Sequence, residues 1–300
     1  MIEIKNVSKS YLKNQKCIDN LNLKINNGEI FGFLGPNGAG KTTIIKNICG
    51  IYKPDSGEIK INDEQVFENT DIKDKVIYIS DELFFFSTYS IKDTAKLYAQ
   101  IYPDWSWERY ENMKAVFKID EKRKVRRLSK GMQKQVAFWL GICTKPDVMI
   151  LDEPVDGLDP VMRRNVWSLV LSDVAENGTT VLISSHNLRE LEDVCDHVGI
   201  MFNGKVVLQK SLDDMKGNIH KLQLAFNGEM PQELLNKLEI LHSSEFGSVT
   251  TMIVKGNSDE LKKQIVQYNP LILDILPLTL EEVFIYELGG MGYEFENILL

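Results

Sequence analysis

The stretch Gly35-Pro36-Asn37-Gly38-Ala39-Gly40-Lys41-Thr42-Thr43 constrains what can be built around it. It fits G-x-x-x-x-G-K-[ST], and its glycines let the backbone turn tightly enough for N–H groups to point inward around phosphate oxygens. Lys41 supplies a point charge for the outer phosphates of a nucleotide, and the Thr42 hydroxyl is a ligand for Mg²⁺. Chance alone can produce the pattern, so its flanks decide. Ile30-Phe31-Gly32-Phe33-Leu34 reads as a buried strand, and Ile44, Ile45 and Ile48 share one face of a following helix, whose N-terminus would meet the phosphates. A plain glycine-rich turn has no need of Lys41 and Thr42 in those places. The stretch predicts a nucleotide-phosphate site.

Two later stretches serve the same chemistry. Val148-Met149-Ile150-Leu151 is a buried strand ending in Asp152-Glu153-Pro154, so two carboxylates stand where ligands gather in an open α/β sheet. Asp152 can hold Mg²⁺, and Glu153 can polarise an attacking water. Thr179 to Ser185 is another buried strand with His186 just past its end. A lone histidine is usually structural, but at a strand's C-terminal end in such a sheet a functional reading prevails. Leu128-Ser129-Lys130-Gly131-Met132-Gln133 precedes an apolar helix through about Ile142, and Ser129 and Gly131 at its N-terminus suit an anion.

The remaining elements follow from periodicity and turn residues. Met1 to Tyr11 alternates, with a polar turn at Lys13-Asn14-Gln15. Leu21, Leu23 and Ile25 alternate again, and Asn26-Asn27-Gly28 makes a hairpin-like turn into the next strand. Glu58 to Ile61 and Val76 to Ile79 are strands. Helical periodicity covers Ile91 to about Tyr102 and Trp107 to about Phe117, an inserted helical lobe. Between them and Val76–Ile79, Leu83-Phe84-Phe85-Phe86 either fills a core or forms a groove for an apolar partner, and both readings stay open. Lys118 to Lys134 is strongly basic but lacks interleaved aromatics, which favours a solvated linker over nucleic-acid contact. Helices are expected from Val161 to about Val174 and from Leu188 to about Cys195, and a strand over Val198 to Phe202. Beyond Met215, strands are expected at His220–Phe226 and Ser248–Val254, and helices at Asp259–Tyr268 and Leu280–Leu288.

Composition narrows the classes. The 300 residues are 43% hydrophobic, enough for one large and one small domain, and the net charge of −8 argues against broad nucleic-acid binding. Cys17, Cys49, Cys143 and Cys195 are isolated, as reduced thiols of a cytosolic protein would be. The start, Ile2-Glu3-Ile4, lacks the apolar core of a signal peptide. No run approaches the roughly eighteen apolar residues of a membrane span, so membrane work would go through a partner.

Taken in order, these motifs resemble an ATP-binding-cassette (ABC) ATPase. Gly35–Thr43 resembles its Walker A motif, Leu128–Gln133 its signature, Val148–Glu153 its Walker B with the catalytic glutamate, Gly157–Asp159 its D-loop and His186 its switch histidine. The resemblance covers about Met1 to Met215. It implies an α/β P-loop NTPase cassette: a RecA-like core, an antiparallel β subdomain and a helical subdomain over about 88–145. A small C-terminal α+β accessory domain at 216–300 follows, which either covers the cassette's edge or regulates it. By the same resemblance Tyr11 stacks on adenine, and ATP and Mg²⁺ are the cofactors. Two cassettes, identical or different, pair head to tail, so that Ser129 and Gly131 complete the site across the dimer, and Asp159 of the D-loop is a further nucleotide-binding residue. The signature usually reads L-S-G-G-Q, and the L-S-K-G-M form here resembles the single-cassette exporter branch, whose permease is a separate chain. A glutamine near Mg²⁺ usually ends the strand Val76–Ile79, whereas Asp81 stands there. The segment after it, Leu83–Phe86, belongs in the family to a groove receiving a permease helix.

The resulting expectation is an ATPase at the cytoplasmic face of a membrane, powering export through a permease, with no nucleic-acid partner. A DNA-acting relative would separate its motifs by a long coiled coil, yet about 110 residues lie between Lys41 and Asp152, without sustained heptads. Ribosome-directed relatives carry two cassettes. An ATP clamp with little turnover stays open because of Asp81.

Overall fold

The computed structural model describes residues 1–12, 15–228, 230–276, 278–279 and 281–283. Strand β1 (Ile2–Leu12) pairs antiparallel with β2 (Gln15–Ile25), Ile2 opposite Ile25 and Ile4 opposite Leu23. The alternation explains the pair: Ile2, Ile4, Val7, Leu21, Leu23 and Ile25 are buried, whereas Lys5, Asn22 and Lys24 face solvent. Strand β3 (Ile30–Leu34), buried throughout, lies in another sheet. The hairpin-like turn expected at Asn26-Asn27-Gly28 is therefore a crossing between sheets. There the Glu29 carboxylate accepts from the Asn26 backbone and side-chain amides, each at 2.9 Å, while β3 is left to pair with later strands.

Helix α1 (Lys41–Ile48) buries Ile44, Ile45 and Ile48 as their spacing predicts. Then come β4 (Ser56–Ile61), β5 (Glu64–Gln65), α2 (Thr70–Lys73) and β6 (Val76–Ile79). Strand β4 pairs antiparallel with β1, giving a four-stranded sheet in the order β2-β1-β4-β5. The helical lobe consists of α3 (Ile91–Ile101), α4 (Trp107–Phe117) and α5 (Lys130–Cys143), each started by a serine. The Ser90, Ser106 and Ser129 side chains accept from the Asp93, Arg109 and Met132 amides, occupying donors that a helix end leaves without partners. Tyr110 and Trp139 stack at 4.9 Å in the lobe's interior, and the Trp139 indole donates to the Tyr110 carbonyl at 2.9 Å.

The chain then runs through β7 (Val148–Asp152), α6 (Pro160–Asn177), β8 (Thr180–Ser185), α7 (Leu188–Glu192), β9 (His197–Phe202) and β10 (Lys205–Ser211). Helix α6 outruns the expected Val161–Val174, and α7 stops short of Cys195. The second sheet has six strands in the order β10-β9-β3-β8-β7-β6. Strand β3 is parallel to β8 and β9, and β7 is parallel to β8 and β6. β3, β7 and β8 are fully buried, which is why they read as continuous apolar runs. Leu34 lies opposite Ser185 and Asp152 opposite Ser184, so the phosphate loop, the two carboxylates and His186 all leave one end of this sheet.

The described chain forms two compact units, residues 1–187 with 194–209, and residues 188–193 with the described residues from 210 onward. The second holds α8 (Leu212–Asn218), β11 (Ile219–Ala225), α9 (Gln232–Lys237), β12 (Glu239–Phe246), β13 (Val249–Lys255), α10 (Ser258–Val266) and β14 (Ile272–Leu276). Its sheet runs β12-β13-β11-β14, and Leu222, Leu224, Leu234, Met252, Val254, Leu261 and Ile265 form its core. Strand β12 is exposed along most of its length, so no hydrophobic alternation announced it. The helix expected at Leu280–Leu288 lies, but for residues 281–283, outside the described residues, as do Lys13 and Asn14 of the expected turn.

Candidate nucleotide site

The phosphate loop turns between β3 and α1 with Gly40 at φ 108°, a left-handed backbone that side chains resist. A Cβ there would also come within 2.7 Å of the Cys17 carbonyl oxygen. At Gly38, by contrast, a Cβ would meet nothing within 4 Å, so the outer side of the loop is open to a ligand. Ala39 is buried, and its N–H donates to the Pro36 carbonyl at 3.1 Å. Lys41 donates to the Gly35 and Pro36 carbonyls of the same loop. Burial lowers its pKa, against the opposing pull of the Glu153 and Asp152 carboxylates.

Across the loop, the Thr42 hydroxyl donates to Asp152 Oδ2 at 3.0 Å. The same oxygen takes the Tyr78 hydroxyl at 3.4 Å, and Asp152 Oδ1 takes the Ser184 hydroxyl. Glu153 sits at φ 47°, its N–H donating to the Ser184 carbonyl at 3.1 Å and its Oε2 lying 2.9 Å from His186 Nδ1. Burial raises the Glu153 pKa, while the neighbouring His186 and Lys41 act in the opposite direction. The result is a carboxylate more basic than an exposed one, the property a general base requires.

Asn37, Gly38, Gly40, Lys41, Thr42, Thr43, Asp81, Asp152 and Glu153 line one cleft of about 360 Å³, which also touches Cys17 and Pro36. Tyr11 is exposed beside it, its hydroxyl 3.2 Å from Thr43 Oγ1 and its ring edge-on to Tyr52 at 5.9 Å. Ser129, Gly131 and Asp159 do not line this cleft. Ser129 and Gly131 start α5, and Asp159 caps α6, accepting from Val161 and Met162 at 3.0 Å each.

The Thr42 hydroxyl and the Asp152 and Asp81 carboxylates form an all-oxygen donor set, which fits Mg²⁺. Among the described residues no three His, Cys, Asp or Glu converge as a metal cage. Mg²⁺ beside a nucleotide takes one or two carboxylates and completes its shell from phosphates and water.

Two residues that bond Asp152 are not among the predicted site residues: Ser184, although a hydroxyl at the end of a buried strand is a signal, and Tyr78, which in sequence reads as an apolar member of its strand. Lys134 closed the basic run, yet it is buried, while Lys122, Arg123, Lys124, Arg126, Arg127 and Lys130 are exposed as a solvated linker would be. Phe84 and Phe86 are 82% and 49% exposed, so the core-filling reading fails for them, and Leu83 and Phe85 are half-buried.

The protein-family model described as ABC transporter matches residues 18–156. Over 290 residues the chain is 33% identical to the ABC transporter ATP-binding protein YtrB of Bacillus subtilis (strain 168), covering 97% of this chain and 99% of that relative. The chain belongs to the ABC transporter ATP-binding proteins. It is also 30% identical over 303 residues to the bacitracin transport ATP-binding protein BcrA of Bacillus licheniformis, covering 97% of this chain and 98% of BcrA. A solved ATP-binding subunit of an ABC transporter superposes with a TM-score of 0.67 at 28% identity, covering 72% of this chain and 92% of that one. The fold is accordingly the α/β P-loop NTPase cassette of ABC proteins, with β1, β2, β4 and β5 as its antiparallel sheet and α3 to α5 as its helical lobe. Among the described residues no helix is long and apolar enough to cross a membrane.

Proposed function

We propose that this ABC ATP-binding subunit hydrolyses ATP to drive export through a separate transmembrane permease. The observation that carries the reading is the alignment of Thr42, Asp152, Glu153 and His186 at one end of the parallel sheet. The phosphate loop from Gly35 to Thr43 cradles the phosphates with its N–H groups. Lys41 exchanges its loop carbonyls for phosphate oxygens, and Tyr11 stacks on the base. Thr42, Asp152 and Asp81 would hold Mg²⁺, which when bound neutralises charge on the phosphates. Glu153, made basic by burial and oriented by His186, takes the proton of the attacking water.

Residues 1–215 form the catalytic domain and 216–300 an accessory domain. A second cassette, identical or different, supplies Ser129, Gly131 and Asp159 to the facing site, and no nucleic acid takes part. The assembly sits at the cytoplasmic face of the membrane, and the transport roles in the names of YtrB and BcrA support that setting. Asp81 in place of the family's glutamine favours one second reading, an ATP clamp with little turnover. Co-purification from membranes followed by phosphate-release assays separates the two. A permease that comes down with the chain and ATP-dependent phosphate release support hydrolysis-driven transport. Tight ATP binding without phosphate release in that complex leaves the clamp.

A further inference from the structure

Lys134 lies one turn into α5, and its side chain is only 7% exposed. An ammonium has three N–H donors and no acceptor. Lys134 Nζ directs them to the Glu153 carbonyl at 2.6 Å, the Asp156 carbonyl at 2.9 Å and Asp81 Oδ1 at 3.3 Å. Strands β6 and β7 pair only as far as Ile79 and Leu151. Past those residues, the segment carrying Asp81 and the segment carrying Glu153 meet on this one nitrogen. Glu153 holds a left-handed backbone at φ 47°, with its N–H fixed by Ser184 and its carbonyl fixed by Lys134. Asp81 is 53% exposed and borders a cleft of about 410 Å³ shared with Leu83, Lys130, Gln133 and Gly157, so it has room to move.

We infer that Lys134 is a positioning residue that makes the placement of Glu153 depend on where Asp81 lies. The inference rests on the reading of Glu153 as the carboxylate that polarises water. If Asp81 withdraws, the buried ammonium keeps only neutral carbonyls as partners. A buried cation without a counter-charge is unfavourable, so it follows the carboxylate or draws in water. Either response loosens its hold on the Glu153 carbonyl. A neutral glutamine at position 81 could not hold the ammonium in this way. Asp81 and Lys134 thus work as a matched pair, and the departure at position 81 gains a physical role.

Hydrogen exchange of the nucleotide-free full chain tests this without any turnover. Wild type, Asp81→Asn, Lys134→Gln and the double variant are compared at the amides of Val155 to Leu158. Each single variant should speed exchange there about tenfold while β7 stays protected, and the double variant should do no more than the larger single. In steady state, kcat of Lys134→Gln should fall about tenfold with ATP affinity unchanged within about twofold. Unaltered exchange in Asp81→Asn overturns the inference, because that half-exposed position folds whatever happens to Lys134 variants. Additive effects in the double variant overturn it too. Absence of phosphate release from wild type would instead defeat the hydrolysis reading, and the exchange comparison would still decide the role of Lys134.

Discussion

His186 Nδ1 lies 2.9 Å from Glu153 Oε2, a pair made by two strand ends 33 residues apart in sequence. The β7–β8 register, with Asp152 opposite Ser184, sets the two side chains side by side. Glu153→Gln keeps the shape and removes the base. It should retain ATP binding and lower kcat by about 10²- to 10³-fold, with His186→Ala costing about 10- to 10²-fold. Phosphate release measured beside nucleotide affinity checks both, and an unchanged rate in Glu153→Gln removes that residue from the role.

The same carboxylate makes a prediction about pH. Burial holds its folded pKa above the ordinary value of 4.5. Ionising it therefore costs more in the folded than in the unfolded chain. That cost is absent below the unfolded pKa, grows as pH rises from the unfolded to the folded value, and is constant above the folded one. Glu153→Gln should accordingly melt higher than the parent at neutral pH, with the gap closing as pH falls toward about 4.5. The Gln amide oxygen still accepts from His186, so loss of that bond does not mask the effect. A variant that melts lower at neutral pH contradicts this account.

Ser129 tests the shared site. Its hydroxyl accepts from the Met132 amide at 3.3 Å, and the residue is exposed. Ser129→Arg should lose about 1 kcal/mol through the missing cap. Nucleotide binding by the monomer should survive, while ATP-driven dimerisation in the Glu153→Gln background should disappear. Light scattering decides, and a dimer that still forms with ATP rules out completion of the site from across an interface.

Phe84 and Phe86, with ring centroids 5.7 Å apart, stand exposed just after Asp81. Truncating an exposed ring should leave the melting temperature nearly unchanged, whereas a buried one would cost about 3–5 kcal/mol. Phe84→Ala or Phe86→Ala should therefore keep the fold yet lose association with a membrane partner, where an aromatic hot spot is worth about 2 kcal/mol or more. Membrane association intact in both variants excludes these rings from the docking surface.

The parts of the site legible in the sequence were those whose chemistry is local. The phosphate loop carries its own glycines, Lys41 and Thr42 in one run, and the strand ends at Asp152 and His186 are marked by apolar runs that stop at polar residues. What escaped was set by tertiary approach. Ser184 and Tyr78 reach Asp152 only because three parallel strands fall into register. Lys134 looked like its exposed basic neighbours because charge alone does not reveal which helix face turns inward. The turn at Asn26-Asn27-Gly28 misled for a related reason. Its residues suit a hairpin, but the buried β3 gains more from strands that cover it on both sides. In the second unit, β12 escaped because an exposed strand has no buried face to impose a pattern.

The bond between Thr42 and Asp152 spans 110 positions of the chain. One of its ends belongs to α1 and the other to β7, and β8 must lie between β3 and β7 before the two can meet. No fragment that stops before β8 can assemble the pocket, however intact its phosphate loop. Nucleotide therefore acts as a late-arriving folding ligand, rewarding only chains in which β3, β8 and β7 already lie side by side. For a chain emerging from the ribosome, capture of ATP becomes a receipt for that central pairing.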